Sequence, residues 1–102
     1  MDRGIPIEIP KDRIALFCKK HHIARLALFG SILRDDFRPD SDLDFLAEFE
    51  TGKAPSFFHL FDMEDELSAI LGGRKVDLRT PEDLSRYFRE EVLSTALVQY
   101  AA

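Results

Sequence analysis

"LFGSILRDDFRPDSDLDFLAEF", residues 28–49, sets Asp35, Asp36, Asp40, Asp42 and Asp44 beside two apolar runs. Its last eight residues, DLDFLAEF (42–49), alternate. Leu43, Phe45, Ala47 and Phe49 fall on one face, with Asp42, Asp44 and Glu48 on the other. That is the period of a strand with one buried side. The preceding run RLALF (25–29) is a compact apolar segment ended by Gly30, as a buried strand is. Between the two, SILRDDF (31–37) predicts a short helix capped near Ser31, and RPDS (38–41) has the chemistry of a turn.

Working outward, GIPIEIP (4–10) carries two prolines and reads as an extended arm. KDRIALFCKKHH (11–22) predicts a short amphipathic helix with Ile14, Leu16, Phe17 and Cys18 among its charges. SFFHLFDMEDELSAIL (56–71) predicts a helix capped by Ser56. Its expected apolar stripe is Phe57, Leu60, Phe61, Leu67 and Leu71, and Gly72-Gly73 stops it. RKVDLR (74–79) predicts a third strand. TPED (80–83) then opens a last helix, with Thr80 as N-cap, Pro81 at the first helical position and helical pattern continuing through REEVLSTALVQY. The order helix, strand, short helix, strand, helix, strand, helix gives an α/β (α+β) domain, a small sheet flanked by helices, formed as one unit over residues 1–102.

Composition narrows the function classes. The formal net charge of −5 argues against broad phosphate-backbone binding and so against a direct nucleic-acid partner. It leaves open a small nucleotide held through metal ions. The single cysteine allows no intrachain disulfide, which favours an intracellular protein. No apolar run reaches membrane-spanning length, so a cytoplasmic location and no membrane partner are expected.

The aspartates point to chemistry. Asp42 and Asp44 leave the same face of a strand with Cα atoms ~6.6 Å apart. Carboxylates so spaced converge on one hard cation or a close pair of them, and a bound divalent ion reverses their mutual repulsion. All-oxygen ligation suits Mg²⁺ or Mn²⁺, which also bind nucleotide phosphates. The bland alternative is a solvated strand end. Gly30-Ser31 adds a strand-to-helix turn whose backbone can approach a phosphate closely, although Ser31 could equally serve only as a cap. Asp77, between Val76 and Leu78 in the third strand, must be paired or bind metal. Arg74 and Arg25 are the ordinary ion-pair partners to weigh against that.

The segment GSILRDDFRPDSDLD, Gly-Ser followed after ten residues by Asp-x-Asp, with a third acid in RKVDL, resembles the DNA polymerase β-like nucleotidyltransferase superfamily. It is most similar to the minimal nucleotidyltransferases (MNT domains), often encoded beside a HEPN-domain protein. The likeness runs from Leu26 to Phe49 and resumes in TPEDLSRYFREEVLSTALVQY. The resemblance implies a polymerase β-like fold with a small mixed sheet. It implies that Gly30 and Ser31 cradle the triphosphate of ATP, with Arg34 supporting the phosphates. It implies that Asp42 and Asp44 ligate Mg²⁺ (or Mn²⁺), and that Asp77 is the third metal-side carboxylate and helps activate the incoming hydroxyl. Many relatives have Gly after that arginine, where this chain has Asp35. The implied activity is a protein adenylyltransferase antitoxin that transfers AMP to a tyrosine of a cognate HEPN ribonuclease toxin. Two alternatives stand beside it: an antitoxin that blocks its partner by contact alone, and a nucleotidyltransferase acting on a small molecule.

Other residues read plainly. His21, His22 and His59 are expected at the surface or at helix ends, since magnesium rarely uses imidazole. Cys18 is expected as a small buried hydrophobe. Phe57, Phe58 and Phe61 are expected mostly in the core, with Phe58 the one ring left over to face a partner. A partner would dock across the open metal face, touching the turn 35–41 and the loop 50–56, with Asp35 and Asp36 meeting a basic surface.

Overall fold

The computed structural model describes residues 8–33 and 41–102. The expected roles of Arg34, Asp35 and Asp36, the turn at 38–40 and residues 4–7 of the arm lie outside the described residues. Among the described residues nine elements follow in order. They are α1 (Lys11–Lys20), β1 (Ile23–Phe29), a 3₁₀ turn (Gly30–Leu33), β2 (Leu43–Phe49), α2 (Phe57–Ile70), β3 (Val76–Arg79), a second 3₁₀ turn (Pro81–Asp83), α3 (Arg86–Thr95) and β4 (Leu97–Ala101). The sheet order is β3-β2-β1-β4. β1 is antiparallel to both β2 and β4, while β2 and β3 run parallel, so the sheet is mixed. A parallel pair needs a crossover, and α2 supplies it.

The alternation of β2 sets the layers. Leu43, Phe45 and Ala47 are fully buried and join Ile14, Phe17, Cys18, Leu26, Leu28, Met63 and Leu67 in one core between the sheet and the helices α1 and α2. Burial of a side chain such as Phe45 or Leu43 contributes about 1.5–3 kcal/mol. Arg25, Ala27 and Phe29 of β1 lie opposite Glu48, Leu46 and Asp44 of β2, on the other face. There Arg25 pairs with Glu48 at 3.4 Å, and Ala27 and Leu46 are buried.

Helix ends follow their signals. Ser56 Oγ accepts from the His59 N–H at 3.2 Å, and Gly72 (φ 78°) and Gly73 (φ 88°) end α2. His21 closes α1 and is less exposed than a helix-end histidine is expected to be. Its ring lies 4.8 Å from Phe17 and meets His59 edge-on at 5.5 Å, while Nε2 stands 2.9 Å from Glu66 Oε1. Desolvation raises the Glu66 carboxyl, but hydrogen bonds from His21 and Lys20 and their charges outweigh it and hold it below the ordinary value. This contact pins α1 to α2.

Three expectations are corrected. The buried residues of α2 are Met63 and Leu67, with Leu60, Ile70 and Leu71 partly buried beside them. Phe57, Phe58 and Phe61 are exposed by 69%, 80% and 50%. The stripe 60-63-67-70/71 keeps the 3.6 period and already fills the sheet face, so the rings rotate outward. Second, Thr80-Pro81-Glu82-Asp83 forms a single 3₁₀ turn, in which the Thr80 N–H donates to Asp83 Oδ2 at 3.1 Å. A separate cap, Ser85, starts α3. Third, residues 97–101 are a strand, not the continuation of a helix. β4 satisfies the outer edge of β1, and an extra residue, Gln99, bulges between Tyr100 (opposite Leu26) and Val98 (opposite Ala27). Gln99 is buried and its Oε1 accepts from Lys11 Nζ at 2.7 Å.

Cys18 is fully buried, and burial pushes its thiol up to about 12. The thiolate is the reactive form. The folded chain is expected to leave Cys18 unmodified by a disulfide-exchange reagent at pH 8, and to take up one equivalent only in denaturant. Because the folded value lies above the unfolded one, this group's contribution to stability is intact below the ordinary thiol value and is lost as pH rises from there toward 12. Rapid native labelling would place Cys18 at the surface.

Candidate active site

The second face of the sheet is where the acids gather. β2 and β3 pair in parallel with Asp44 beside Asp77 and Leu46 beside Arg79. Side chains of paired residues leave the same face about 4.8 Å apart, so the two carboxylates stand side by side. α3 crosses above them and buries none of its residues. Between α3 and the sheet lies a cleft of about 700 Å³. Phe29, Gly30, Asp44, Asp77 and Arg79 line it from the sheet, and Phe88, Glu91, Val92 and Thr95 line it from the helix. That volume is in the range of small-molecule sites.

Gly30 ends β1 with φ at +81°, a region that side chains rarely enter. A Cβ built there would collide with Oδ2 of Asp44 and stand 3.1 Å from its Cγ. The glycine therefore serves two ends: it allows the turn, and it leaves room for the Asp44 carboxylate against the backbone. Ser31 follows in the 3₁₀ turn.

Asp77 has an ion-pair partner that sequence reasoning did not name. Strand alternation carries residue 79 to the face of residue 77, and Arg79 donates through Nε (3.2 Å) and Nη2 (3.1 Å) to Asp77 Oδ2. Arg25 pairs instead with Glu48. The hydrogen bonds to Asp77, then the charges of Asp77, Asp83 and Asp44, hold the Arg79 guanidinium above its ordinary value. The signal for Arg79 was present in the period of two. The α3 lining carried no such signal, because nothing local says which strands a helix will cross.

Asp42 sits just before β2 and is not among the described residues that line the cleft. Its Oδ2 lies 3.9 Å from the Nζ of Lys75, an exposed and loose pair. The structure thus brings Gly30, Asp44 and Asp77 together in this cleft. Among the described residues, no group of three or more His, Cys, Asp or Glu stands in a metal-holding arrangement. The donor chemistry nevertheless fits a hard divalent cation. Asp44 and Asp77 offer only oxygens, and the missing Cβ of Gly30 lets the Asp44 carboxylate sit against the backbone at the head of the cleft.

A second, smaller cleft of about 310 Å³ shares Asp77 and Arg79 with the first. Its other walls include Phe57, Phe61 and Glu64. Glu64 Oε2 accepts from the Leu78 N–H at 2.6 Å, which fixes the wall to β3. The two clefts meet at the Asp77–Arg79 pair.

Comparison with known proteins bears on this geometry. The family described as "Polymerase beta, Nucleotidyltransferase" matches residues 12–101. A candidate protein adenylyltransferase of Methanocaldococcus jannaschii, MJ0435, is 32% identical over 87 residues, covering 85% of this chain and 90% of the relative. The solved structure of a candidate minimal nucleotidyltransferase is 32% identical, with a TM-score of 0.69 over 85% of this chain and 86% of the other. A toxin–antitoxin crystal structure with AMP-PNP superposes with a TM-score of 0.72 over 91% of this chain and 74% of the other. At 16% identity, that likeness concerns the fold alone. Among the described residues, no helix is long and apolar enough to cross a membrane.

Proposed function

The chain belongs to the polymerase beta nucleotidyltransferase family, and we propose that within it this chain is a protein adenylyltransferase antitoxin that moves AMP from ATP to a tyrosine of a HEPN-type toxin. The observation that carries this reading is the meeting of Gly30, Asp44 and Asp77 in one cleft of nucleotide size. The name of the M. jannaschii relative supports a protein as acceptor. The toxin–antitoxin neighbour, with its bound ATP analogue, supports the nucleotide and the kind of partner.

In this reading the backbone at Gly30 and Ser31 cradles the triphosphate, with Arg34 beside it. Asp42, Asp44 and Asp77 would hold a divalent ion, Mg²⁺ or Mn²⁺, which when bound would supply positive charge against the triphosphate and the charge that develops during transfer. Asp77 orients the acceptor hydroxyl and takes its proton. The tyrosine oxygen forms a bond to the α-phosphorus, the bond from that phosphorus to the oxygen bridging to the β-phosphate breaks, and pyrophosphate leaves. Phe88, 63% exposed on the cleft wall, offers a ring on which the base can stack. The acceptor enters from the smaller cleft, whose rim of Phe57 and Phe61 is apolar and exposed.

A second reading is favoured by that same rim. Phe57, Phe58 and Phe61 form an exposed aromatic patch of the sort that anchors a protein contact, so the chain could silence its partner by binding alone. One experiment separates the two. The neighbouring gene's HEPN product is incubated with this protein and Mg-ATP, and its intact mass and ribonuclease activity are followed. The expected result is a gain of one adenylyl group in step with loss of nuclease activity. Inactivation at unchanged mass would establish contact inhibition and overturn the transfer reading.

A further inference from the structure

Arg79 stands where the reaction, as drawn above, has no use for it. It is the one described cation lining the larger cleft, and it also lines the smaller one. Its guanidinium is forked onto Oδ2 of Asp77, a carboxylate assigned to the metal. It also feels the charge of Asp44 and of Asp83. A divalent cation and this guanidinium therefore draw on the same negative charge.

We propose that Arg79 is an internal counterion of the Asp44–Asp77 pair that competes with the divalent cation and is released to the phosphates when the nucleotide arrives, so that metal and nucleotide bind together and not separately. The inference rests on the site reading above, in which Asp44 and Asp77 take the metal. The physical argument is an exchange of partners. With neither ligand bound, Arg79 would offset like-charge repulsion between two neighbouring carboxylates. A metal that binds alone must displace a charge-assisted hydrogen bond and leave a cation facing a cation. When triphosphate enters, the guanidinium gains an anionic partner of matching fork geometry, and the metal takes over Asp77 without that penalty. Arg79 is thus a positioning residue. It makes metal affinity conditional on nucleotide, and by linkage nucleotide affinity conditional on metal.

The test is Mn²⁺ binding to the full chain, read from the free-ion electron paramagnetic resonance signal. It is measured with and without α,β-methylene ATP, in the wild type and in the Arg79→Gln, Arg79→Lys and Asp44→Asn variants. Without nucleotide, Arg79→Gln is expected to bind Mn²⁺ about three- to tenfold more tightly than the wild type, the range set by a partly exposed pair joined by two charge-assisted hydrogen bonds. Arg79→Lys, with the charge but not the fork, falls between them. With the analogue present, the advantage of Arg79→Gln is expected to vanish or reverse. Equal nucleotide-free affinities in the wild type and Arg79→Gln, with Asp44→Asn weaker than both, would overturn the counterion role while leaving the site reading intact. Equal affinities in all four proteins would overturn the site reading and the proposal with it. Circular dichroism of each variant establishes that the compared chains are folded.

Discussion

Asp44→Asn is expected to reduce AMP transfer by about 10³-fold or more while the chain stays folded. The magnitude follows from what a charged group aimed at a phosphoryl centre is worth in catalysis, about 4 kcal/mol or more when it also anchors the metal. The fold survives because Asn keeps the shape of Asp, and because the core lies on the opposite face of β2, where Leu43, Phe45 and Ala47 are fully buried. A thermal-shift measurement gives a second readout. Ligand at 100 times its Kd stabilises a protein by about 2.7 kcal/mol. In a domain this small that is a rise in Tm of roughly 10 °C or more. Wild-type protein is expected to show such a rise with Mg²⁺ and ATP together, and Asp44→Asn to lose most of it. Asp42→Asn is expected to lose transfer as well. Asp42 is paired loosely with an exposed lysine at 3.9 Å, and its variant tells whether both acids of the Asp-x-Asp are needed. Wild-type transfer rates in Asp44→Asn would remove the metal assignment altogether.

What could be read from the chain divides along physical lines. β2 was legible because Leu43, Phe45 and Ala47 keep a period of two on the core face, even though Leu46 is also buried on the other face. The partnership of Gly30 with the acids was legible as a resemblance. The reason the position must be glycine was not, because it lies in the packing of Asp44 across the strand boundary. The C-terminal strand was misread for a definite cause. Leu97 and Tyr100 both pack toward the core, three residues apart, which is helical spacing. They share a face in a strand only because Gln99 bulges between them, and a bulge leaves no mark on periodicity. The phenylalanines of α2 show the opposite error. Their apolarity placed them inside, but Met63 and Leu67 already filled the available face. The rings left outside form an exposed aromatic patch, which is the informative outcome of such a surplus. Arg79 needed no structure to find, only the application to β3 of the alternation already used on β2.

Gly30→Ala is expected to cost more than any other single-methyl change in the site, and to do so in two separable ways. The first is local. At φ +81° an alanine is strained by about 1–2 kcal/mol, which would lower Tm by several degrees in a domain of this size. The second is remote from the backbone. The new methyl occupies the space of the Asp44 carboxylate, so either the turn opens or the acid rotates off its place beside Asp77. A displacement of about 1 Å in a catalytic group is enough for a loss near 10²-fold. Transfer is therefore expected to fall by about that factor or more, and Mn²⁺ affinity to fall with it. The control is Gly72→Ala. Gly72 has nearly the same φ, +78°, but a Cβ there meets nothing within 4 Å. That variant carries the backbone strain alone and is expected to lose stability while keeping full transfer by the folded fraction. If Gly30→Ala behaved like Gly72→Ala, stability lost and specific activity kept, the contact between Gly30 and Asp44 would have no part in shaping the site.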